Sequence, residues 1–362
     1  MTNKKYWHWL LNIKNIGIKK TKAILDFYDT PRDAFLGNEL ELKQIGVLKE
    51  EDRINIIKSK DINLIKKDYN KLHKKNIYLI TKDDEKYPSK LKNIYDPPFA
   101  LYVRGSLPQD NMLSIAIVGA RACSDYGREV ATNISRELAG KGVQIISGLA
   151  YGVDSFAHAG ALKAKGQTFA VLGCGIDICY PKENFNLYMD IEKEGGIISE
   201  YGMGRKPMAY QFPMRNRIIS ALSDGILIVE AKEKSGSLIT ADSGLEQGKN
   251  IYSIPGNIYS KLSEGTNNLI KMGAKLVSNS QDILEDYKHN YINSKDNIAQ
   301  KDKLLEKKEK IVYACLSCLP KHMNSIAKET NLTIEELSEI LLQLELKNMI
   351  KEIRKNYFSY IS

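Results

Sequence analysis

Long apolar runs are missing from this 362-residue sequence. Stretches such as Phe169–Leu172 fall far below the ~20 residues a helix needs to span a bilayer. The start, from Met1 to Leu11, is basic and then apolar. It is too short and too polar for a signal peptide, and no small-residue cleavage site follows. Membrane insertion and secretion are therefore not expected, and a cytoplasmic location is. Cysteine is scarce: five in all, an odd number thinly spread, which argues against a disulfide scaffold. Cys315 and Cys318 form one C-x-x-C, but no second Cys/His pair lies near to complete a zinc site. They read as packing positions, and no metal is expected. There is no G-x-x-x-x-G-K-[ST] phosphate loop and no H-E-x-x-H. Gly173-Cys-Gly175 lacks the third glycine of a dinucleotide fingerprint. Walker-type hydrolysis, zinc proteolysis and NAD or FAD chemistry are thus disfavoured, and no cofactor is expected.

Positive charge is present but unevenly placed. The chain carries 53 Lys+Arg against 44 Asp+Glu, a net +9. Residues 1–108 hold 22 basic and 14 acidic side chains, whereas residues 109–286 hold 18 and 20. Charge alone supports a polyanion partner weakly. It does require that any anion site in the middle region be local, built from particular arginines and backbone amides.

Three regions and a linker follow from the patterning. Residues 1–80 read as helices joined by glycine turns. The units Ile16-Gly17 and Ile45-Gly46 resemble paired helix-hairpin-helix motifs, whose glycine turns expose amides to phosphate. A helical bundle with glycine turns and a solvated Lys face is the preferred reading on residues alone, because so short a signature arises easily. Residues 81–286 lead in with an extended stretch, Phe99–Gly105. They then alternate short buried strands (115–118, 143–147, 169–172, 196–199, 225–231, 251–254 and 274–277) with apolar-periodic helices. That alternation predicts a doubly wound, extended Rossmann-like α/β fold with a mainly parallel sheet. Residues 287–306 are polar and read as a linker. Residues 307–362 read as three helices and a hairpin turning at Lys355–Asn356, which resembles a winged helix. Its third helix carries Glu335, Glu336, Glu339 and Glu345 against Lys347, a poor face for duplex DNA.

Ligands of open α/β sheets bind at the carboxyl ends of the strands. There the sequence places Gly119-Ala120-Arg121, Ser124, Ser147-Gly148, Gly173-Cys-Gly175, Asn184, Glu200, Arg215-Asn216-Arg217, Ser235-Gly236-Ser237 and Thr266-Asn267. Several Gly/Ser/Asn/Arg loops feeding helix starts at one sheet edge point to a phosphate-rich ligand. No nucleophile–base–acid triad stands out. Asp154 and His158, at i, i+4, read as a helix-start carboxylate beside a packed histidine rather than a catalytic pair. Glu200 and Glu230 read as acceptors for loop amides.

In these loops the sequence resembles the DNA-processing protein A (DprA, or Smf) family. The resemblance spans nearly the whole chain, through Gly119-Ala-Arg121, Ser147-Gly-Leu-Ala-Tyr-Gly-Val-Asp154, Tyr180-Pro181-x-x-Asn184, Phe212-Pro-x-Arg-Asn-Arg217, Ser235-Gly-Ser237, Pro255-Gly256 and Gly265-Thr-Asn267. It implies a helix-hairpin-helix (SAM-like) N-terminal domain and a C-terminal winged helix. It implies a non-enzymatic protein that binds single-stranded DNA, forms a homodimer through its α/β domain, and loads RecA recombinase onto incoming DNA in natural transformation. By motif, Gly119, Ala120, Arg121, Ser147 and Gly148 would hold phosphates, with Arg215, Asn216 and Arg217 extending the groove and Phe212 offering a base-stacking platform. The rival is a nucleotide phosphoribohydrolase of the same superfamily. Its Pro-Gly-Gly-x-Gly-Thr-x-x-Glu signature is not matched by Ser235–Asp242.

Overall fold

The computed structural model describes residues 3–287, 307–316, 321–330, 332–346 and 350–360. Residues 288–306 of the expected linker lie outside the described residues, as do Cys318 and Lys347. The chain divides into two compact units, Met1–Asp286 and Tyr287–Ser362.

Nine strands of the first unit form one sheet. They are β1 (Tyr78–Thr81), β2 (Ala100–Gly105), β3 (Ser114–Val118), β4 (Gln144–Ser147), β5 (Thr168–Leu172), β6 (Gly196–Ser199), β7 (Gly225–Ile228), β8 (Asn250–Ser253) and β9 (Lys275–Leu276). Their spatial order is β1-β2-β6-β5-β4-β3-β7-β8-β9. From β6 to β9 every neighbouring pair is parallel, while β1 and β2 add antiparallel at one edge. β3, β4 and β5 are buried along their whole length, because helices cover both faces. Each large apolar side chain buried there contributes about 1.5–3 kcal/mol. The helix Asp125–Gly140 shows how the covering layer forms. Ser124 caps it by accepting from the Gly127 amide, and Ala131, Ile134 and Leu138 line its buried stripe. After β3 the chain winds toward β4 and β5; after β6 it returns to the other side of β3. The order therefore reverses between β3 and β7, the crevice where such sheets bind ligands.

Six helices precede the sheet: Lys4–Leu11, Ile18–Tyr28, Pro31–Leu36, Glu39–Gln44, Glu50–Lys58 and Ile62–Lys74. They share a core of Leu10, Ile24, Leu42, Ile56 and Ile65. They are anchored to the sheet by polar contacts as well. The Tyr102 hydroxyl on β2 lies 2.9 Å from His8 Nδ1 and accepts from Asn12 Nδ2 at 2.7 Å. The reading of residues 1–80 as helix alone needs correcting. Tyr78-Leu-Ile-Thr81 is a strand because Ala100–Val103 offers it a hydrogen-bonding edge, a partner that a local pattern does not reveal.

In the second unit, helices Lys307–Ala314, Met323–Thr330 and Ile334–Leu346 pack with strands β10 (Lys321–His322), β11 (Ile350–Arg354) and β12 (Tyr357–Tyr360), in sheet order β10-β12-β11. The core is Val312, Ile326, Leu337, Leu341, Leu344, Ile350 and Phe358. The hairpin turns at Lys355–Asn356 as expected, with Asn356 at φ 65°, a conformation asparagine tolerates. This is a winged helix. Of its four glutamates, Glu336 pairs with Lys308 at 2.7 Å and Glu345 accepts from the Glu352 amide. Glu335 and Glu339 face solvent. Among the described residues no helix is long and apolar enough to cross a membrane.

Candidate functional site

The loops after β3 and β7 form the two walls of a cleft of about 430 Å³ at the reversal point. Gly119 to Ala122 make one wall; Lys232, Lys234 and Ser235–Ser237 make the other; Phe212, Arg215 and Asn216 come from the helix Gln211–Ala221. Glu230 fastens the walls together. Its backbone oxygen accepts from the Ala120 amide, and its carboxylate accepts from the Ser124 amide, both at 2.8 Å. That is the amide-acceptor role expected of it. Ser235 caps the helix Gly236–Glu246 and meets the Ser237 hydroxyl at 2.9 Å.

The three arginines of the expected groove have different environments. Arg121 is exposed and has no ion pair among the described residues. Its guanidinium carbon lies 5.4 Å from the centre of the Phe212 ring, within cation–π range. Arg215 is only 5% exposed. It donates to the Gly148 carbonyl at 2.8 Å and to the Val171 carbonyl, so it braces the ends of β4 and β5 from the floor of the cleft, which it lines. Arg217 does not line the cleft. Its Nη2 donates to both Glu200 carboxylate oxygens at 2.8 Å, and its Nε forms an ion pair with Asp96 at 3.0 Å. Glu200 thus accepts from an arginine, not from the loop amides expected of it. The arginine is nearer, and its charge must be matched once buried.

Ser147 and Gly148 also sit beneath the cleft rather than in its lining. The Ser147 hydroxyl donates to the Ile117 carbonyl at 2.7 Å, and the Gly148 amide donates to Asp154 at 3.1 Å. Burial pushes the Asp154 carboxyl up, against the pull of Arg215. His158 packs as expected. Thr168 Oγ1 donates to the Ile145 carbonyl, so His158 Nδ1 donates to Thr168 at 2.6 Å. Burial pushes that imidazole down to about 3, and it is neutral at ordinary pH. His158 is therefore held by structural partners alone, whereas Asp154, though mostly buried and bonded to the Gly148 amide, also lines the floor of the cleft.

The remaining loops position the lining. The Phe212 ring packs over Gly173, where an added Cβ would fall 2.7 Å from Phe212 Cδ1. The Gly175 amide donates to the Arg205 carbonyl, and Asn184 donates to the Leu149 carbonyl at 3.0 Å. The Asn267 side chain exchanges two hydrogen bonds with Gly256, and Thr266 donates to the Ser263 carbonyl. Gly152, at φ 73°, lets the loop after β4 close onto the carbonyls of Ala120 and Arg121, where no side chain fits. Lys232 and Lys234 are exposed lining residues that the site reading left out. Their place directly between β7 and Ser235-Gly-Ser237 was the available signal. Among the described residues no group of three His, Cys, Asp or Glu is placed to hold a metal ion.

Residues 78–288 match the family model described as DNA recombination-mediator protein A, and residues 299–353 match the DprA winged helix domain. The chain is 43% identical over 204 residues to the DNA processing protein DprA of Streptococcus pneumoniae, 56% of this chain and 72% of that one. It is 30% identical over 390 residues to the Smf protein of Synechocystis, 97% and 98% of the two chains. Among solved structures, DprA from Streptococcus pneumoniae aligns with a TM-score of 0.67 at 33% identity, covering 79% of this chain and 98% of that one. A DprA from Helicobacter pylori, described for its single-stranded DNA binding mode, aligns with a TM-score of 0.53 at 32% identity over 59% of this chain and 97% of that one.

Proposed function

Since the chain belongs to the DNA recombination-mediator protein A (DprA/Smf) family, we propose that it binds single-stranded DNA in the cleft between the β3 and β7 loops. The observation that carries this reading is the pairing of Arg121 with Phe212. An arginine with no ion pair among the described residues lies over a half-buried ring in an open cleft. Such a pair offers one phosphate a fork of donors and one base a π-face. Lys232 and Lys234 on the opposite wall add charge without sequence readout. Gly119, Ala120, Asn216 and Ser235–Ser237 offer further polar contacts. The Helicobacter relative's DNA-binding structure supports the same ligand.

We assign the protein no catalysis. It acts as a mediator that places RecA recombinase on single strands, and as a homodimer through the α/β unit. The support for the dimer is the sheet edge at β9, where Met272 and Leu276 are exposed. The winged helix, with Glu335 and Glu339 outward, serves contact with protein.

A mobility shift of a labelled single strand and its duplex at two salt concentrations tests the reading. Preference for the single strand is expected. Three cationic side chains on phosphates give a log–log salt slope of about −2. Tighter binding of the duplex would overturn the proposal. Addition of the protein should also speed RecA assembly on a single strand, read by RecA's ATP hydrolysis.

A further inference from the structure

Beyond Arg121 lies a second cleft of about 420 Å³, lined by Arg121, Ser124, Arg128, Tyr151 and Phe156 among others. It shares Arg121 and Ala122 with the first, so the two are separated by the Arg121 ridge. We propose that a single strand bound in the first cleft crosses this ridge and continues into the second, where Arg128 takes a phosphate and Tyr151 stacks a base. The inference rests on the reading of the first cleft as a single-strand site.

Four observations carry it. Either cleft has room for only a small ligand, so the neighbours of a nucleotide seated in the first must lie elsewhere. The Tyr151 ring is 44% exposed, yet its hydroxyl donates to the Glu183 carboxylate. The ring is thus held before a base arrives, which reduces the entropy lost on stacking. The Arg128 guanidinium stands 5.8 Å from the centre of the Phe156 ring, with its side chain 54% exposed. Finally, the loop bearing Tyr151 is fixed to the ridge: the Val153 amide donates to the Ala120 carbonyl, and Gly152 packs on the Ala120 and Arg121 carbonyls.

Three carboxylates stand near the same place, and one of them, Glu230, is already engaged by the amide and hydroxyl of Ser124. Asp125 pairs with Arg128 but is 92% exposed, so it rotates away at little cost. A guanidinium also has five donors and can hold a phosphate beside it. Glu183 is occupied by the Tyr151 hydroxyl.

The test measures fluorescence anisotropy of the full chain with a labelled thymidine dinucleotide and a labelled oligothymidylate of about 16 nucleotides. Tyr151→Ala and Arg128→Ala are each expected to weaken the longer strand about tenfold and leave the shorter one unchanged. Tyr151→Phe keeps the ring but releases it from Glu183, and should lose less affinity for the longer strand than Tyr151→Ala. Arg121→Ala should weaken both. If Tyr151→Ala and Arg128→Ala bind the longer strand as wild type does while Arg121→Ala weakens both, the second cleft is not part of the path and the first stands. If a folded Arg121→Ala leaves both lengths unchanged, the reading of the first cleft fails and this inference fails with it. Equal loss in Tyr151→Phe and Tyr151→Ala would mean that the hydroxyl's bond to Glu183 matters rather than stacking, and would also overturn the proposal.

Discussion

The guanidinium carbon of Arg121 lies 5.4 Å from the centre of the Phe212 ring, and that of Arg215 lies 6.0 Å from the same centre. One ring thus sits by two cations of opposite character. Arg121 is exposed and unpaired among the described residues; Arg215 is buried and engaged by two carbonyls. The first can bind a ligand, and the second holds the place where the ligand lies.

The contrast gives a matched pair of variants. Arg121→Ala should weaken single-strand binding roughly ten- to a hundredfold, the equivalent of about 1.5–3 kcal/mol for hydrogen bonds to a charged group. Its melting temperature should stay unchanged. Arg215→Ala should instead destabilise the fold by about 1–3 kcal/mol for each buried carbonyl left unpaired, seen as a lower urea midpoint. A folded Arg121→Ala that binds as wild type would move the groove elsewhere, and the basic helices of residues 1–80 would be the next place to look.

Arg217 separates stability from binding in the same way. Arg217→Ala strands Glu200 in a buried position, and breaking a buried pair costs about 3–5 kcal/mol. Oligonucleotide affinity, measured under conditions where the variant is folded, should be unaltered. A folded variant with intact stability and lost affinity would put Arg217 on the DNA.

Gly173→Ala tests the platform without touching an arginine. The new methyl would fall 2.7 Å from Phe212 Cδ1, and the half-buried ring is the part free to move. Affinity for a single strand should drop by about the value of one stacked base, 1–3 kcal/mol, as in Phe212→Ala. The double variant should be no worse than either single one. Additive losses would show that the methyl acts elsewhere.

Acid should destabilise the first unit through two histidines. Burial pushes His8 down to about 4 and His158 down to about 3, from an ordinary 6.5. Below pH 6.5 the unfolded chain takes up protons that the native state refuses, so stability falls with pH until the native values are reached. Between pH 7 and pH 5 each histidine withdraws about 2 kcal/mol. Asp154, pushed up by burial, works the other way by taking up a proton in the native state. The clean measurement is therefore the NMR titration of the imidazoles. Neither His8 nor His158 should titrate above pH 5 in the folded protein, and a midpoint near 6.5 for either would refute its burial as a neutral group.

Local pattern determined much of this protein. Runs such as Ile115-Ala-Ile-Val118 and Phe169-Ala-Val-Leu172, spaced by amphipathic helices, were enough for a parallel sheet, because strand and helix periodicities are properties of adjacent residues. The turn at Lys355–Asn356 was legible for the same reason. So was the family, through the order of its loop motifs. The tertiary structure alone decided which polar residues are free. Arg121, Arg215 and Arg217 look alike in sequence, and two of them sit in one motif. Arg215 finds its carbonyls 67 and 44 residues away, and Arg217 finds Glu200 17 residues away. Arg121 finds no carboxylate at ion-pair distance among the described residues. The antiparallel edge of β1 and β2 and the seating of Phe212 over Gly173 were likewise decided by strand order. Whether a charge meets a ligand or a buried partner depends on which distant segments fold beside it, and no local pattern records that.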